Sequence, residues 1–510
     1  MKKYLKPIFS KKILGFVFMF IQLMFIGFTI TGIYEASFLL YGSLTALSVI
    51  IIILEINREV DSAVKIIWIA IVAVIPVFGV FLYVYVHSDG ILKIYKRRLE
   101  SITAKISRFT SHVSEDYSEL KEVSPVEFGM FNYLKSVGNA PCFSAGDIKY
   151  FPTGENMFES LVADVKQARK YIFVEMFIIN EKDYMWQEFL RILEMKVREG
   201  VEVRLMYDGM GSFSTTKREF AERMRQKGIK CYTFAPVRPF VSTYHNNRDH
   251  RKIVIIDGKY AYTGGVNLAD EYINRKKRYG HWKDTAIRAS GQSVKGFLLM
   301  YFKIWGLCSN TGDDYMQYLV CTKENLANQG YITAFDDVPM DEEPITKNVF
   351  LHIINSAREY VYINTPYLVL GDDLISALKF AAGRGVDVRL CCPRIPDKWY
   401  AFAVARTYYP ELIKAGVRIY EYTPGFLHAK STFSDDKRAY IGSANYDFRS
   451  LYHNYEGGAY IYDNPVIADI KDDFCKTVNK SHMFTLQDYK KLNIFYRIIA
   501  RVLKLFSPLL

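Results

Sequence analysis

The strongest pattern along the chain is an excess of apolar positions in the first ninety residues. Ile13 to Tyr34, Ala36 to Leu54 and Ile66 to Val86 each carry no charged residue. Each is close to the ~20 residues that a helix needs to cross a hydrocarbon core. Residues 1–90 are therefore expected to hold N-terminal transmembrane helices. The length of the first run, with a second close behind it, argues against a cleaved signal peptide. Lys2, Lys3, Lys6, Lys11 and Lys12 precede the first run, and Lys93, Lys96, Arg97 and Arg98 follow the third. Both clusters favour the cytoplasmic side, which three full crossings cannot satisfy. Two crossings, with one run re-entrant or interfacial and the main domain at the cytoplasmic face of the cell membrane, fit the charges.

Residues 91–144 are charged and read as a juxtamembrane helix and linker. From 145 to 485 strand-like and helix-like segments alternate. Tyr171 to Ile179 is apolar, β-branched and aromatic, Trp186 to Arg198 is helical in period, and Val201 to Met206 is strand-like again. This alternation predicts α/β units. The pattern also repeats. Ala168 to Val174 resembles Ala357 to Ile363, Glu199 to Leu205 resembles Arg384 to Leu390, and Lys227 to Tyr232 resembles Ala415 to Tyr420, at offsets of 189, 185 and 188 residues. Three matches in order at nearly constant offset indicate a duplicated domain, with one repeat over 145–320 and the other over 321–485. The tail, 486–510, places Arg497, Arg501 and Lys504 among Ile494, Phe495, Ile498, Ile499, Val502, Leu503 and Phe506. This is a basic amphipathic helix, suited equally to a membrane surface and to docking on the domain.

Composition narrows the picture only slightly. With 510 residues, half of them apolar, wholesale disorder is excluded. The net charge of +12 favours an anionic partner, whether lipid head groups, nucleic acid or a phosphate-rich substrate. Seven cysteines show no CxxC pair and no zinc-type spacing, which fits buried free thiols in a reducing compartment.

The chemistry-bearing pattern is His250-Arg251-Lys252, then Asp257, then Gly264-Gly265-Val266-Asn267. It recurs as His428-Ala429-Lys430, Asp435 and Gly442-Ser443-Ala444-Asn445 with identical internal spacing. A single His-x-Lys means nothing. Two copies with matched downstream spacing, one per repeat, are a strong signal. Residues two apart in extended chain share a face, so each His projects with its Lys. Asp257-Gly258 reads as a hairpin turn. Pseudo-twofold packing of the repeats would bring two His and two Lys to one cleft.

Such a cleft suits a phosphodiester. One imidazole can attack phosphorus and form a phosphohistidine. The other can protonate the leaving alkoxide and then deprotonate the incoming hydroxyl. Two ammonium groups can stabilise charge on the non-bridging oxygens, with Asn267, Asn445 and Ser443 as further donors. Neither a metal nor a cofactor is called for. An imidazole nucleophile needs an acceptor on its second nitrogen; Glu456 and, by alignment of the repeats, Asp284 are the candidates. Asp257 and Asp435 belong to the motif and count among the candidate catalytic residues, although a turn or an ion pair would use them equally well.

These motifs resemble the paired HKD signatures of the phospholipase D superfamily. The strings at 247–258, 264–272, 282–285 and 420–430, the apolar N-terminal region and the Ser-Pro-Leu-Leu end are similar to one branch, the bacterial cardiolipin synthases, over roughly residues 55 to 510. The resemblance implies duplicated α-β-α sandwich halves sharing an active site. It also implies a phosphatidyl transfer in which two phosphatidylglycerols give cardiolipin and glycerol through a phosphatidyl-histidine on His250. Phospholipid and bilayer are then the partners, and nucleic acid is not. Two departures stand out: Gly265 replaces the Ser of the superfamily pattern, and the run at 13–34 is additional to the usual two. The remaining alternatives are a related hydrolase or transferase, a nucleotide-acting relative, and a non-catalytic scaffold.

Overall fold

The computed structural model describes residues 34–87, 90–236, 247–309, 315–319, 329–339 and 343–509. The chain forms two compact units. One comprises residues 1–96, 237–246 and 505–510; the other comprises 97–236 and 247–504.

In the first unit three helices, Tyr34–Ile56, Ser62–Val74 and Pro76–His87, pack on one another. The third apolar run is not one continuous helix. Ile75 is non-helical, at φ −129° and ψ 69°, because the residue before a proline is pushed out of the α region. Pro76 then starts the next helix. The Trp68 and Tyr83 rings meet edge-on with centroids 5.4 Å apart. Residues fifteen apart in a straight helix would be more than ~20 Å apart, so the chain folds back on itself. A 13-residue helix is ~20 Å long, well short of a hydrocarbon core of ~30 Å. Among the described residues, no helix is long and apolar enough to cross a membrane. The expected span at 13–34 lies, apart from Tyr34, outside the described residues. The one at 36–54 falls on the helix Tyr34–Ile56, whose side chains are described only from Gly42 onward.

The second unit contains two large sheets that repeat one plan. The first has seven strands in the order 148–151, 286–290, 260–264, 253–256, 171–176, 202–208, 230–234. Its last three strands are parallel, and parallel neighbours need crossover connections, here through the helices Tyr184–Arg198 and Phe220–Gln226. The second sheet runs 331–337, 454–462, 438–442, 431–434, 360–364, 387–393, 418–422, with added edge strands at 143–144 and 481–484. Strand for strand this is the same order, so the duplication read from sequence is a duplication of mixed α/β sheets. The helix Val294–Ser309 packs against strands of both sheets. It is buried on nearly every side, which is why it shows no polar face. The expected linker includes the helix Pro125–Ser136, whose buried Glu127 accepts hydrogen bonds from Arg438 and Tyr460 of the second sheet. The six described cysteines are free, and Cys142, Cys231, Cys391 and Cys392 are buried.

Candidate active site

Each histidine follows a short strand that pairs with the other repeat. Arg248–Asp249 pairs in parallel with the start of Asn454–Tyr462, and the His250 N–H donates to the Tyr455 carbonyl at 2.9 Å. The next residue is Glu456. Gly425–Leu427 pairs in parallel with His281–Lys283, and the His428 N–H donates to the Lys283 carbonyl at 2.7 Å. The next residue there is Asp284. Backbone pairing thus sets each imidazole beside the acid of the opposite repeat. His250 Nδ1 lies 2.9 and 3.1 Å from the two Glu456 oxygens, and His428 Nδ1 lies 2.6 Å from Asp284 Oδ2. Both acids are fully buried. With Nδ1–H given to a carboxylate, Nε2 is the nitrogen left for other chemistry.

Lys252, Lys430 and His428 are buried and His250 is partly so, and each lysine donates to the carbonyl of the His two residues before it. Lys430 Nζ also lies 2.9 Å from His428 Nδ1. That nitrogen already directs its proton at Asp284, so the lysine acts there as a nearby charge and not as a second hydrogen-bond partner. Burial lowers His250 to about 4, although Glu456 opposes the shift. Burial and Lys430 lower His428 to about 3, against Asp284. Both imidazoles are therefore neutral at pH 7. Burial brings Lys252 down to about 7 and Lys430 to about 8, with Glu456 and Asp284 as the respective leading opponents. Burial works to raise Glu456, but His250, Lys252 and the Ser443 hydroxyl outweigh it and hold the carboxyl at about 2.

The two half-sites differ. Glu456 accepts from the Ser443 hydroxyl and from Asn454 Nδ2 (3.2 Å) as well as from His250. On the other side Gly265 stands where Ser443 does. A Cβ there would meet Asp284 Oδ1 at 2.0 Å. The acid in this half is one methylene shorter, and its carboxylate occupies the space a serine side chain would need. The missing hydroxyl is therefore matched to the shorter acid. The surroundings differ too. His428 sits among the rings of Tyr272, Trp282 and Phe426. Among the described residues His250 meets one ring, that of Phe177, edge-on at 4.8 Å, and that ring also lies under Lys252.

Not every motif residue is gathered here. Asp257 is at the far end of the strand Ile253–Ile256, and at about 3.3 Å per residue this puts it roughly 20 Å along the chain from His250. Its carboxylate accepts from the backbone N–H groups of Arg169, Lys170 and Tyr171 at 2.7, 2.7 and 2.8 Å. Asp435 does the same for Arg358, Glu359 and Tyr360 at 2.8, 3.0 and 3.0 Å. Asp257 and Gly258, like Asp435 and Asp436, have φ between 53° and 66°, the left-handed values of the two central residues of a type I′ turn, within a loop of three residues between Ile256 and Tyr260 and between Ser434 and Arg438. These aspartates hold the turn and the start of the neighbouring strand; as candidate catalytic groups they are corrected to structural ones. Asn267 is likewise occupied, accepting from Ile178 N at 2.9 Å and donating to Tyr272 Oη at 2.7 Å. Asn445 donates to Asp447 at 3.1 Å, and its Oδ1 is buried with no protein hydrogen bond. The expectation that these amides are free donors fails for Asn267, both ends of which are in use.

Sequence reasoning missed Arg251. Set between two residues of one face, it points to the other. There it is fully buried and paired with Glu175, Asp249 and Asp336, where the second repeat has Ala429. Its signal was the asymmetry itself, since an arginine at a buried position requires anionic partners. Among the described residues no group of three or more His, Cys, Asp or Glu is arranged to hold a metal ion.

Two duplicated α/β sheets, joined through crossed His–carboxylate pairs beside two buried lysines, define a phosphodiester-transfer protein of the phospholipase D class. The fold agrees with the solved phosphatidylserine synthase of Haemophilus influenzae Rd KW20, at 14% identity with a TM-score of 0.56 over 74% of this chain and 97% of that one. Residues 161–279 and 350–478 match the family described as cardiolipin synthase, PLD-like domain. The chain is 33% identical to the cardiolipin synthase of Geobacillus kaustophilus over 94% of this chain and 96% of that one. It is 31% identical to that of Halalkalibacterium halodurans over 90% and 91%, and 42% identical to an uncharacterized protein of Streptococcus mutans over 89% and 98%. The chain belongs to the cardiolipin synthase family of the phospholipase D superfamily.

Proposed function

We propose that this phosphatidyltransferase makes cardiolipin by joining two phosphatidylglycerols through a covalent phosphatidyl-histidine. Binding of the anionic diester brings a proton from solvent onto His428 Nε2, because the negative charge beside the ring favours its cationic form; His250 Nε2 then attacks phosphorus, the bond from phosphorus to the terminal glycerol oxygen breaks, and His428 Nε2–H protonates that oxygen to release glycerol. His428, now neutral, takes the proton of the second lipid's glycerol hydroxyl. The oxygen attacks phosphorus, the N–P bond breaks, and cardiolipin leaves with His250 restored. The observation that carries this reading is the crossed locking of both Nδ1 atoms by buried carboxylates, which leaves Nε2 of each ring for reaction, one as nucleophile and the other as proton carrier. The anionic diester itself favours the protonated form of the imidazole beside it, and the aromatic faces around His428 suit a transient imidazolium. His250, anchored on a carboxylate with two further donors, suits the covalent role. Lys252 and Lys430 stabilise the equatorial oxygens.

A lipid that never leaves the bilayer fits a membrane-anchored enzyme. The same reading has the apolar runs of sequence at 13–34 and 36–54 cross the cell membrane, treats 66–86 as a re-entrant pair, and sets the domain at the cytoplasmic face. The length of the folded-back pair and the two basic clusters support it. Incubation with labelled phosphatidylglycerol tests the reaction. Cardiolipin with stoichiometric glycerol is expected; phosphatidic acid, an adduct with another alcohol, or no product would overturn it.

A further inference from the structure

The last helix of the second unit, Ile494–Lys504, is docked with its amphipathicity reversed. A surface helix ordinarily turns its apolar stripe to the core. Here Ala500 is buried and Tyr496, Arg497, Leu503 and Lys504 are partly covered, on the side that packs against the helix Trp399–Lys414. Lys504 Nζ lies over the Tyr408 ring at 4.0 Å. Ile494, Phe495, Ile498, Ile499 and Val502 are all exposed, Phe495 by 71%. At 3.6 residues per turn these five span an arc of roughly 140°, opposite the docked side. Ordinary docking on the domain, one of the two uses expected for this tail, therefore accounts for the polar side and leaves the apolar side uncovered.

Charge indicates what covers it. From Tyr489 to Leu510 the sequence has five basic residues and no acidic one, and the exposed Arg501 borders the apolar arc. An apolar stripe edged by cations matches the acyl–headgroup boundary of an anionic bilayer, where apolar side chains bury and basic ones meet phosphates. A protein groove offers no reason for the absence of acids. The chain also runs from this helix directly into residues 505–510, which belong to the unit that contains the apolar N-terminal helices.

We propose that Ile494–Lys504 is an interfacial helix that lies in the surface of an anionic membrane and holds the catalytic unit against it. The proposal rests on the membrane placement given above, so the test must separate the two. The full chain would be placed in nanodiscs containing phosphatidylglycerol, with a bimane on Phe495→Cys or, separately, on Ile53→Cys in the helix Tyr34–Ile56. The labelled wild type serves as the blank, and lipids carrying a nitroxide at a shallow acyl carbon serve as quenchers. At least threefold quenching at both positions is expected, falling severalfold at position 495 when phosphatidylcholine replaces phosphatidylglycerol. Quenching at 53 without quenching at 495 overturns the interfacial helix alone, whether the label at 495 stays open to aqueous iodide or forms disulfide-linked dimers with a second copy. Absence of quenching at both overturns the membrane placement as well. Equal quenching at 495 in both lipids overturns the anionic assignment.

Discussion

Glu456→Gln isolates the charge of the carboxylate from its geometry. Three donors converge on Glu456: His250 Nδ1 at 2.9 Å and Asn454 Nδ2 at 3.2 Å on one oxygen, and the Ser443 hydroxyl on the other. A glutamine can keep its carbonyl towards His250 and Asn454 and turn its amide N–H to the Ser443 oxygen. The hydroxyl proton is then free to rotate to the Gly457 carbonyl, 3.2 Å away. The imidazole should keep its tautomer and position. What disappears is a full negative charge beside a ring that becomes positive once Nε2 bonds to phosphorus. At 2.9 Å and an effective dielectric of ~20, that attraction is roughly 6 kcal/mol before solvation losses. With those losses, about 4 kcal/mol is the expected rise in the barrier, or about a 10³-fold fall in kcat. Initial rates of glycerol release from phosphatidylglycerol in mixed micelles would measure it, alongside a thermal unfolding scan. A variant within tenfold of wild-type kcat, with unchanged Tm, would refute the idea that Glu456 stabilises a cationic intermediate.

Asp257→Asn should cost about 1–3 kcal/mol of stability, because one of the three backbone N–H groups then faces an amide nitrogen. Turnover per folded molecule should stay within twofold; a hundredfold loss of kcat at unchanged Tm would return Asp257 to the chemistry. Gly265→Ser should reduce kcat at least a hundredfold, since its Cβ evicts the Asp284 carboxylate from His428. Ser443→Gly, which leaves Glu456 two of its donors, should cost no more than about tenfold, and similar losses in the two variants would count against the matched-acid argument. Stability should fall on acidification. Both histidines are neutral when folded down to about 4 and about 3, whereas the unfolded chain protonates them below ~6.5. The unfolded state then binds more protons throughout that window, at about 2 kcal/mol per histidine by pH 5. Activity should also decline on the alkaline side between about 7 and about 8 as Lys252 and Lys430 lose their protons; a flat profile from pH 6 to 9.5 would exclude a role for ammonium charge.

Much of this arrangement was legible in the sequence. The strands at 171–176 and 202–208 are parallel and buried, so they read as largely apolar segments broken only by Glu175 in the first and by Glu202, Arg204 and Asp208 in the second, and the repeat offsets exposed the second sheet through the first. The two acids were found by aligning the repeats. Which histidine each serves was not legible, because pairing within a repeat and pairing between repeats leave the same alignment. Only the long-range strand contacts of 248–249 with 454–455 and of 425–427 with 281–283 decide it. Gly265 looked like a lost donor because sequence shows a missing hydroxyl but not the carboxylate that fills its place. Pro76 was visible inside the third apolar run, yet hydropathy averages over a window and hides one residue whose backbone preference reverses the chain.

The crossed pairing also explains why the two repeats must stay together. Within one repeat, His250 has the Ser-free loop at Gly265 and an acid, Asp284, committed to His428; within the other, His428 has no carboxylate of its own, because Glu456 is committed to His250. Neither half therefore contains a histidine with its Nδ1 fixed, and an imidazole without that partner samples both tautomers and presents the wrong nitrogen part of the time. The same two short parallel pairings that deliver the acids also carry the histidine backbones. Any shift of one sheet relative to the other would then disturb both half-sites at once. The duplication is catalytic in its consequences even though the residues that join the sheets, Arg248–Asp249 and Gly425–Leu427, touch no reacting atom in the proposed mechanism. The motif aspartates serve the same end from a distance: by gripping the strand starts at 169–171 and 358–360, they fix the hairpins whose first strands begin directly after Lys252 and Lys430, and so hold the position of each lysine relative to its own histidine.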